Sequence, residues 1–152
     1  MELNDEVRIR APKAEVYTAL NDPEVLKLCI PGCEELTRTS PDDLEAKVVL
    51  KIGPVKATFA GFVHLDQSGA PDAFSLTGEG KGGAAGFAKG GADVTLTEDG
   101  NETVLSYTAK ADIGGKIAQL GSRLIVATAK KLSAKFFEDF ARVMNDRTDG
   151  TA

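Results

Sequence analysis

Tryptophan is absent from these 152 residues, and aromatic residues make up only 6%. That scarcity speaks against a stacking platform for single-stranded nucleic acid. Positive charge is also short. The net charge of −5 leaves no basic footprint of the kind that phosphate backbones need. His64 is the single histidine, so a multi-histidine metal site and a Ser-His-Asp constellation lack their parts. No metal site is expected. No run of about 18 apolar residues occurs, so no segment is read as spanning a bilayer. The acidic start, Met1-Glu2-Leu3-Asn4-Asp5-Glu6, does not read as a signal peptide, and a cytoplasmic location is the expectation. The two cysteines, Cys29 and Cys33, form C-x3-C rather than the redox C-x-x-C, and are read as free thiols.

What is present is glycine, concentrated in one place: seven fall within residues 78–91, GEGKGGAAGFAKGG. Gly78-x-Gly80-x-x-Gly83 is formally G-x-G-x-x-G, but a dinucleotide fingerprint needs a helix opening at the third glycine. Here a strand pattern follows from Ala88 to Thr97, and the glycines read as a bend between strands.

Alternation marks the rest of the chain as mostly strand. Leu3, Asp5, Val7 and Ile9 share one side of residues 2–10. Pro12 opens a short helix carrying Val16, Ala19 and Leu20. Asn21-Asp22-Pro23 ends it and starts a second, with Asp22 as cap. Strand patterns follow at about residues 34–39 and 44–52, then after Gly53-Pro54, after Ser68-Gly69-Ala70-Pro71-Asp72, and on both sides of Glu98-Asp99-Gly100-Asn101. A helical pattern runs from about Lys116 to Asn145, with Ile117, Leu120, Leu124, Ile125, Thr128, Leu132, Phe136 and Phe140 as its apolar stripe. About 30 residues at 1.5 Å rise reach about 45 Å, enough to cross a curved sheet. The expectation is an α+β fold. One curved antiparallel sheet of about seven strands wraps around a long C-terminal helix, and two short helices follow the first strand. Residues 1–146 form a single domain, and residues 147–152 a frayed polar tail.

Small inward residues along that sheet leave room beneath the helix. The expected cavity walls are Val48, Leu50, Phe59, Val63, Leu76, Gly78, Gly90, Ala92, Leu105, Tyr107, Leu120, Leu124 and Thr128. A collapsed interior filled by bulky helix residues is the alternative. Tyr107 is the one polar-tipped wall residue; its hydroxyl meets either a ligand carbonyl or simply backbone and water. No catalytic residue is assigned. His64 falls on the outward phase beside Phe62 and Asp66, and the carboxylates occupy polar phases without a buried pair. Lys116, Arg123, Lys130, Lys131 and Lys135 make the start of the closing helix basic, as a surface for acidic partners or lipid heads, or as a solvated face.

Four spaced segments carry a resemblance. They are Leu20-Asn21-Asp22-Pro23 leading to Cys29-Ile30-Pro31-Gly32-Cys33-Glu34, then Gly53-Pro54-Val55-Lys56-Ala57-Thr58-Phe59-Ala60-Gly61, then Gly78-Glu79-Gly80-Lys81-Gly82, and Asp112-Ile113-Gly114-Gly115-Lys116-Ile117-Ala118-Gln119-Leu120-Gly121. Over about residues 2–144 the chain resembles the CoxG family of carbon monoxide dehydrogenase subunits, within the START/Bet v1-like (SRPBCC) superfamily. The resemblance implies a helix-grip fold with an internal apolar pocket. It also implies an accessory role beside a molybdenum-containing hydroxylase of the carbon monoxide dehydrogenase type, coupling it to the membrane and its quinone. Longer members carry an apolar C-terminal segment; none is seen up to Ala152, so membrane contact here is expected to be peripheral at most. The expected ligand is a quinone or lipid, with no cofactor required. Two rivals stay open: a surface-only assembly or docking factor with no ligand, and a cyclase or hydratase on the same fold.

Overall fold

The computed structural model describes residues 1–150. The chain runs β1 (Glu2–Ile9), α1 (Lys13–Leu20), α2 (Pro23–Cys29), β2 (Cys33–Ser40), β3 (Asp43–Ile52), β4 (Val55–Asp66), β5 (Ala73–Lys81), β6 (Phe87–Asp99), β7 (Glu102–Gly114) and α3 (Ser122–Gly150). All seven strands form one antiparallel sheet in the order β1-β7-β6-β5-β4-β3-β2. Strands β2 to β7 are therefore a continuous meander, and β1 closes onto the last of them. Helices α1 and α2 carry the chain from one sheet edge to the other. This is the curved-sheet-and-helix architecture that the alternation implies.

The local devices match their sequence signals. The Asp22 side chain accepts from the Glu24 backbone N–H at 2.9 Å, with Pro23 in the first helical turn. Gly53 and Gly100 turn the β3–β4 and β6–β7 hairpins with positive φ, at 57° and 63°. Thr103 is fully buried, and its hydroxyl donates to the Ala11 carbonyl at 2.7 Å, fixing the exit of β1 against β7.

The closing helix departs from the expected bounds. Gly115 (φ 81°) and Gly121 (φ 97°) both take the left-handed conformation, and residues 116–120 form a separate 3₁₀ turn between them. The α-helix itself starts at Ser122 and continues through residues 147–150, which the sequence pattern assigns to a polar tail. Residues 151–152 of that tail lie outside the described residues. Arg147 ties the helix end to Asp22 at 3.5 Å.

The interior divides in two. The larger cluster lies under α1, α2 and the C-terminal half of α3; it is built from Ile9, Val16, Leu20, Val25, Leu44, Leu65, Phe74, Val94, Leu105, Phe140 and Met144. A smaller one at the β3–β4 hairpin end packs Phe59, Ala85 and Ile117 with Leu50, Ile52, Val55, Ile113 and Leu120.

Candidate functional site

Between the sheet and α3 lies an apolar cavity of about 400 Å³. The sheet side is formed by Leu36, Leu44, Ala46, Val63, Leu65, Phe74, Leu76, Ala92, Val94, Leu105 and Tyr107. The helix side is formed by Leu20, Leu26, Ile30 and Pro31 from the α1–α2 segment and Leu132, Ser133, Phe136 and Phe137 from α3. Leu76 and Ala92 sit opposite each other mid-sheet, on the inner face, yet are only half-buried. The space beneath the helix is what exposes them.

The helix does not press onto the sheet along its whole length. Among its described side chains, only Phe140 and Met144 are fully buried, whereas Leu124, Ile125, Thr128, Leu132 and Phe136 are half-buried. The apolar stripe is fully buried only in its C-terminal half and half-buried before it. Phe136 is the centre of an aromatic group there, stacked on Phe140 and edge-on to Phe137. Phe137 in turn stacks on Tyr107 with ring centroids 5.6 Å apart. The Tyr107 hydroxyl makes no hydrogen bond to any described residue, and the same is true of the Ser133 hydroxyl. These are the two polar side chains in an otherwise hydrocarbon wall, and both keep a donor available to a ligand.

Of the wall residues expected from sequence, Val63, Leu76, Ala92, Leu105 and Tyr107 line this cavity. Leu50, Phe59 and Leu120 belong instead to the smaller cluster, whose packing fills the hairpin end. Val48 lies half-buried on β3, facing Phe59 and Cys33 across the strands. Leu124 and Thr128 are on the half-exposed start of α3; Leu124 reaches the β3–β4 turn, and the Thr128 hydroxyl donates to the Leu124 carbonyl at 2.8 Å. Gly78 and Gly90 are not lining residues. A Cβ on Gly90 would stand 2.0 Å from the Lys110 carbonyl oxygen, and one on Gly78 would stand 2.8 Å from that of Phe62. The sheet coils so tightly at this row, Val63–Gly78–Gly90–Ala111, that neighbouring backbone occupies the side-chain position. These glycines shape the cavity by bending its roof rather than by leaving space. Alternation gives the inward phase but not the line along which a sheet folds, so it misses this role. It also misses Leu26, Ile30 and Pro31, which lie on a helix and turn that no strand pattern reaches.

The acidic, basic, imidazole and thiol groups lie elsewhere. Tyr107 is the one titratable wall residue of the cavity. His64 is outward and exposed, with Nδ1 2.8 Å from Asp43 Oδ1. The hydrogen bond to Asp43, aided by the charges of Asp43, Asp42 and Asp66, raises the imidazole above its usual range. Asp43 is lowered by hydrogen bonds from Ser40 and His64. Burial, with the Asp139 carboxylate second, pushes the Cys29 thiol up to about 11. Burial also raises Cys33, and both cysteines are free. Among the described residues no cluster of three or more His, Cys, Asp or Glu side chains could hold a metal. Among the described residues, no helix is long and apolar enough to cross a membrane.

Of the basic residues at the start of the closing segment, Arg123, Lys130, Lys131 and Lys135 are exposed on α3. Lys116 lies on the separate 3₁₀ turn before the Gly121 break. Helical spacing therefore does not relate it to Arg123 and Lys130.

The family model of CoxG, a carbon monoxide dehydrogenase subunit, matches residues 6–145. The chain belongs to the CoxG family. Among solved structures it is similar to a conserved protein from Geobacillus kaustophilus, at 28% identity, TM-score 0.90 and 96% coverage of both chains. The fold is shared more widely. A START superfamily protein from Mycobacterium smegmatis superposes with TM-score 0.66 at 13% identity, covering 99% of each chain. The Zhui aromatase/cyclase from Streptomyces sp. R1128 does so with TM-score 0.72 at 13% identity, covering 97% of this chain and 95% of that one. No curated protein matches the sequence significantly. The two distant likenesses bear on the fold alone, so the family and the cavity carry the functional reading.

Proposed function

We propose that this CoxG-family protein binds an apolar small molecule, a quinone or lipid, between its sheet and α3. It would do so as a non-catalytic accessory of a molybdenum hydroxylase of the carbon monoxide dehydrogenase type. The observation that carries the reading is the cavity of about 400 Å³ with a hydrocarbon wall broken only by the Tyr107 and Ser133 hydroxyls. A wall of that kind favours transfer of apolar surface out of water and offers a donor to one polar end of the guest. It offers no carboxylate or imidazole for proton transfer, which argues against the cyclase or hydratase reading. The α3 wall residues Leu132, Ser133, Phe136 and Phe137 are themselves half-buried, which gives a bulky guest a way in beside them without unfolding the sheet.

Organic extraction of purified protein followed by mass spectrometry tests the proposal. A stoichiometric quinone or lipid, lost in Ala92→Phe with the fold intact, supports it. An extract that stays empty after incubation with quinones in detergent leaves the surface-only docking factor as the better account.

A further inference from the structure

The outer face of the sheet carries exposed aromatic side chains. Phe62 on β4 is 55% exposed and Phe87 on β6 is 41% exposed, two of the four large apolar side chains that stand in solvent among the described residues. Strand register sets their neighbours in two adjacent rows. One row runs Glu45, Phe62, Glu79, Lys89 across β3, β4, β5 and β6. The next runs Lys47, Ala60, Lys81, Phe87 across the same strands. All are exposed except Glu79, which is half-buried. Phe62 also rims a depression of about 370 Å³ whose lining includes Ala60, Glu45 and Lys47. A large knob thus stands beside a hole on the same face.

The two rows are complementary to each other, strand by strand. Each strand presents an outward pair two residues apart: Glu45 with Lys47, Phe62 with Ala60, Glu79 with Lys81, and Lys89 with Phe87. A two-fold axis lying between the rows, and along them, would set each row of one copy onto the other row of a second. Glutamate then meets lysine on β3 and again on β5. Phe62 of each copy sits over Ala60 of the other, large on small. Lys89 lies over the Phe87 ring, a cation–π pairing. The flanking positions conform. Glu35 meets Thr37 on β2, and Asp112 meets Gly114 on β7. In the rows further out, Asp43 meets Val49, His64 meets Thr58, and Asp66 meets Lys56. No like charges are opposed from β2 to β6; Lys110 and Lys116 lie at the β7 margin, where two curved sheets part. Within one copy these charges are weakly used. Lys47–Glu35 and Lys81–Glu79 are 3.7 and 3.8 Å apart, and Glu45 and Lys89 form no salt bridge with any described residue. A different protein would have to match both the knob and the charge alternation; a second copy matches them by symmetry.

We propose that this outer face, centred on Phe62 and Ala60, is a two-fold interface with a second copy of the chain. A sheet curved around a helix is convex outside, so the contact is confined to the strands around β4. The dimer is therefore of the weak, concentration-dependent class. The cavity lies on the inner face of the sheet, so both cavities stay open on opposite sides of the pair. The inference is independent of the carrier reading.

The test is sedimentation velocity of the full chain from about 2 to about 200 µM, the range in which a small interface assembles. The chain should pass from monomer to dimer within it. Phe62→Glu leaves it monomeric. Lys47→Glu weakens the dimer at least about tenfold, because the two-fold opposes glutamates twice. Adding Glu45→Lys to Lys47→Glu restores association, since the reversed pair is again self-complementary. Leu28→Ser, which removes an exposed apolar side chain on α2, leaves association unchanged. Circular dichroism verifies that each variant is folded. A chain that stays monomeric throughout overturns the interface and leaves Phe62 to a different protein. Association that survives Phe62→Glu overturns it too, as does a charge swap that fails to restore what Lys47→Glu removes.

Discussion

Ala92→Phe separates a binding cavity from a packing defect. Ala92 faces Leu76 and Ala109 across the sheet and lines the roof of the cavity. A phenyl ring placed there points into about 400 Å³ of space rather than into packed neighbours. Burying a ring of this size gains about 1.5–3 kcal/mol when it fits. Imperfect fit costs about 1–3 kcal/mol. The two nearly cancel, so the unfolding free energy should change by no more than about 1 kcal/mol. The guest is affected differently. An isoprenoid-type ligand burying about 300 Å² gains about 7 kcal/mol before ordering costs. If the ring displaces a third of that contact, binding weakens by about 2 kcal/mol, or about thirtyfold.

The assay pairs urea denaturation with titration of decylubiquinone by calorimetry. A variant as stable as the parent, with affinity down about thirtyfold, is the expected outcome. Unchanged affinity in a stable variant would refute the assignment of this cavity as the binding site. A loss of several kcal/mol in stability would refute the reasoning about free space itself.

Other sites test other parts of the structure. Gly90→Ala should cost at least about 2 kcal/mol in urea denaturation, because its Cβ would stand 2.0 Å from the Lys110 carbonyl oxygen; a neutral result would mean that the glycine row merely leaves space. Thr103→Val should cost about 1–3 kcal/mol by leaving the buried Ala11 carbonyl without its donor, and a neutral change would refute that role. His64, the single histidine, should give one imidazole NMR titration above the usual 6.5, moving down in Asp43→Asn; no movement would disprove the pairing. With the folded imidazole raised, its stabilising contribution is full below the unfolded histidine pKa and is lost as pH rises through the folded value. With folded Asp43 lowered, its contribution is present above the unfolded aspartate pKa and is lost as pH falls through the folded value, so the pair acts between the two ranges.

The order of elements was legible because each carries its own period or punctuation. Strict alternation marks β3 to β7, Asp22-Pro23 caps α2, and Asp99-Gly100 turns the last hairpin. The outward phase of His64 was legible for the same reason. The site was only partly legible, since a cavity is a relation between elements. Phase alone put Tyr107, Leu76 and Ala92 inside, but it could not distinguish them from Leu50 and Phe59, which are equally inward and packed. What separates the two groups is their distance along the sheet from the Lys116–Leu120 turn, which carries Ile117 down onto Phe59. The break that makes this turn depends on positive φ at Gly115 and Gly121, inside a segment whose apolar spacing continues as though nothing interrupts it.

That break also explains why the space lies where it does. A single uninterrupted helix would carry Ile117 and Leu120 on the same stripe as Leu132 and Phe136, and would cover the sheet evenly. Instead the 3₁₀ turn seals the hairpin end independently, and α3 restarts at Ser122 with its own inclination. Its fully buried contacts then fall at Phe140 and Met144, near α1 and α2, while its first turns are half-buried, with Leu124 reaching the β3–β4 turn. The cavity thus opens within the larger plug, whose Leu44, Leu65, Phe74, Val94 and Leu105 wall it, while the smaller plug at the hairpin end packs separately. Stability is carried by the plugs, so the middle of the sheet can forgo close packing and serve a guest. Fusing the plugs, for example by Gly121→Ala so that the helix restarts earlier, should seat α3 closer and narrow the mouth. Slower ligand exchange at unchanged fold would support this division, and unchanged exchange rates would refute it.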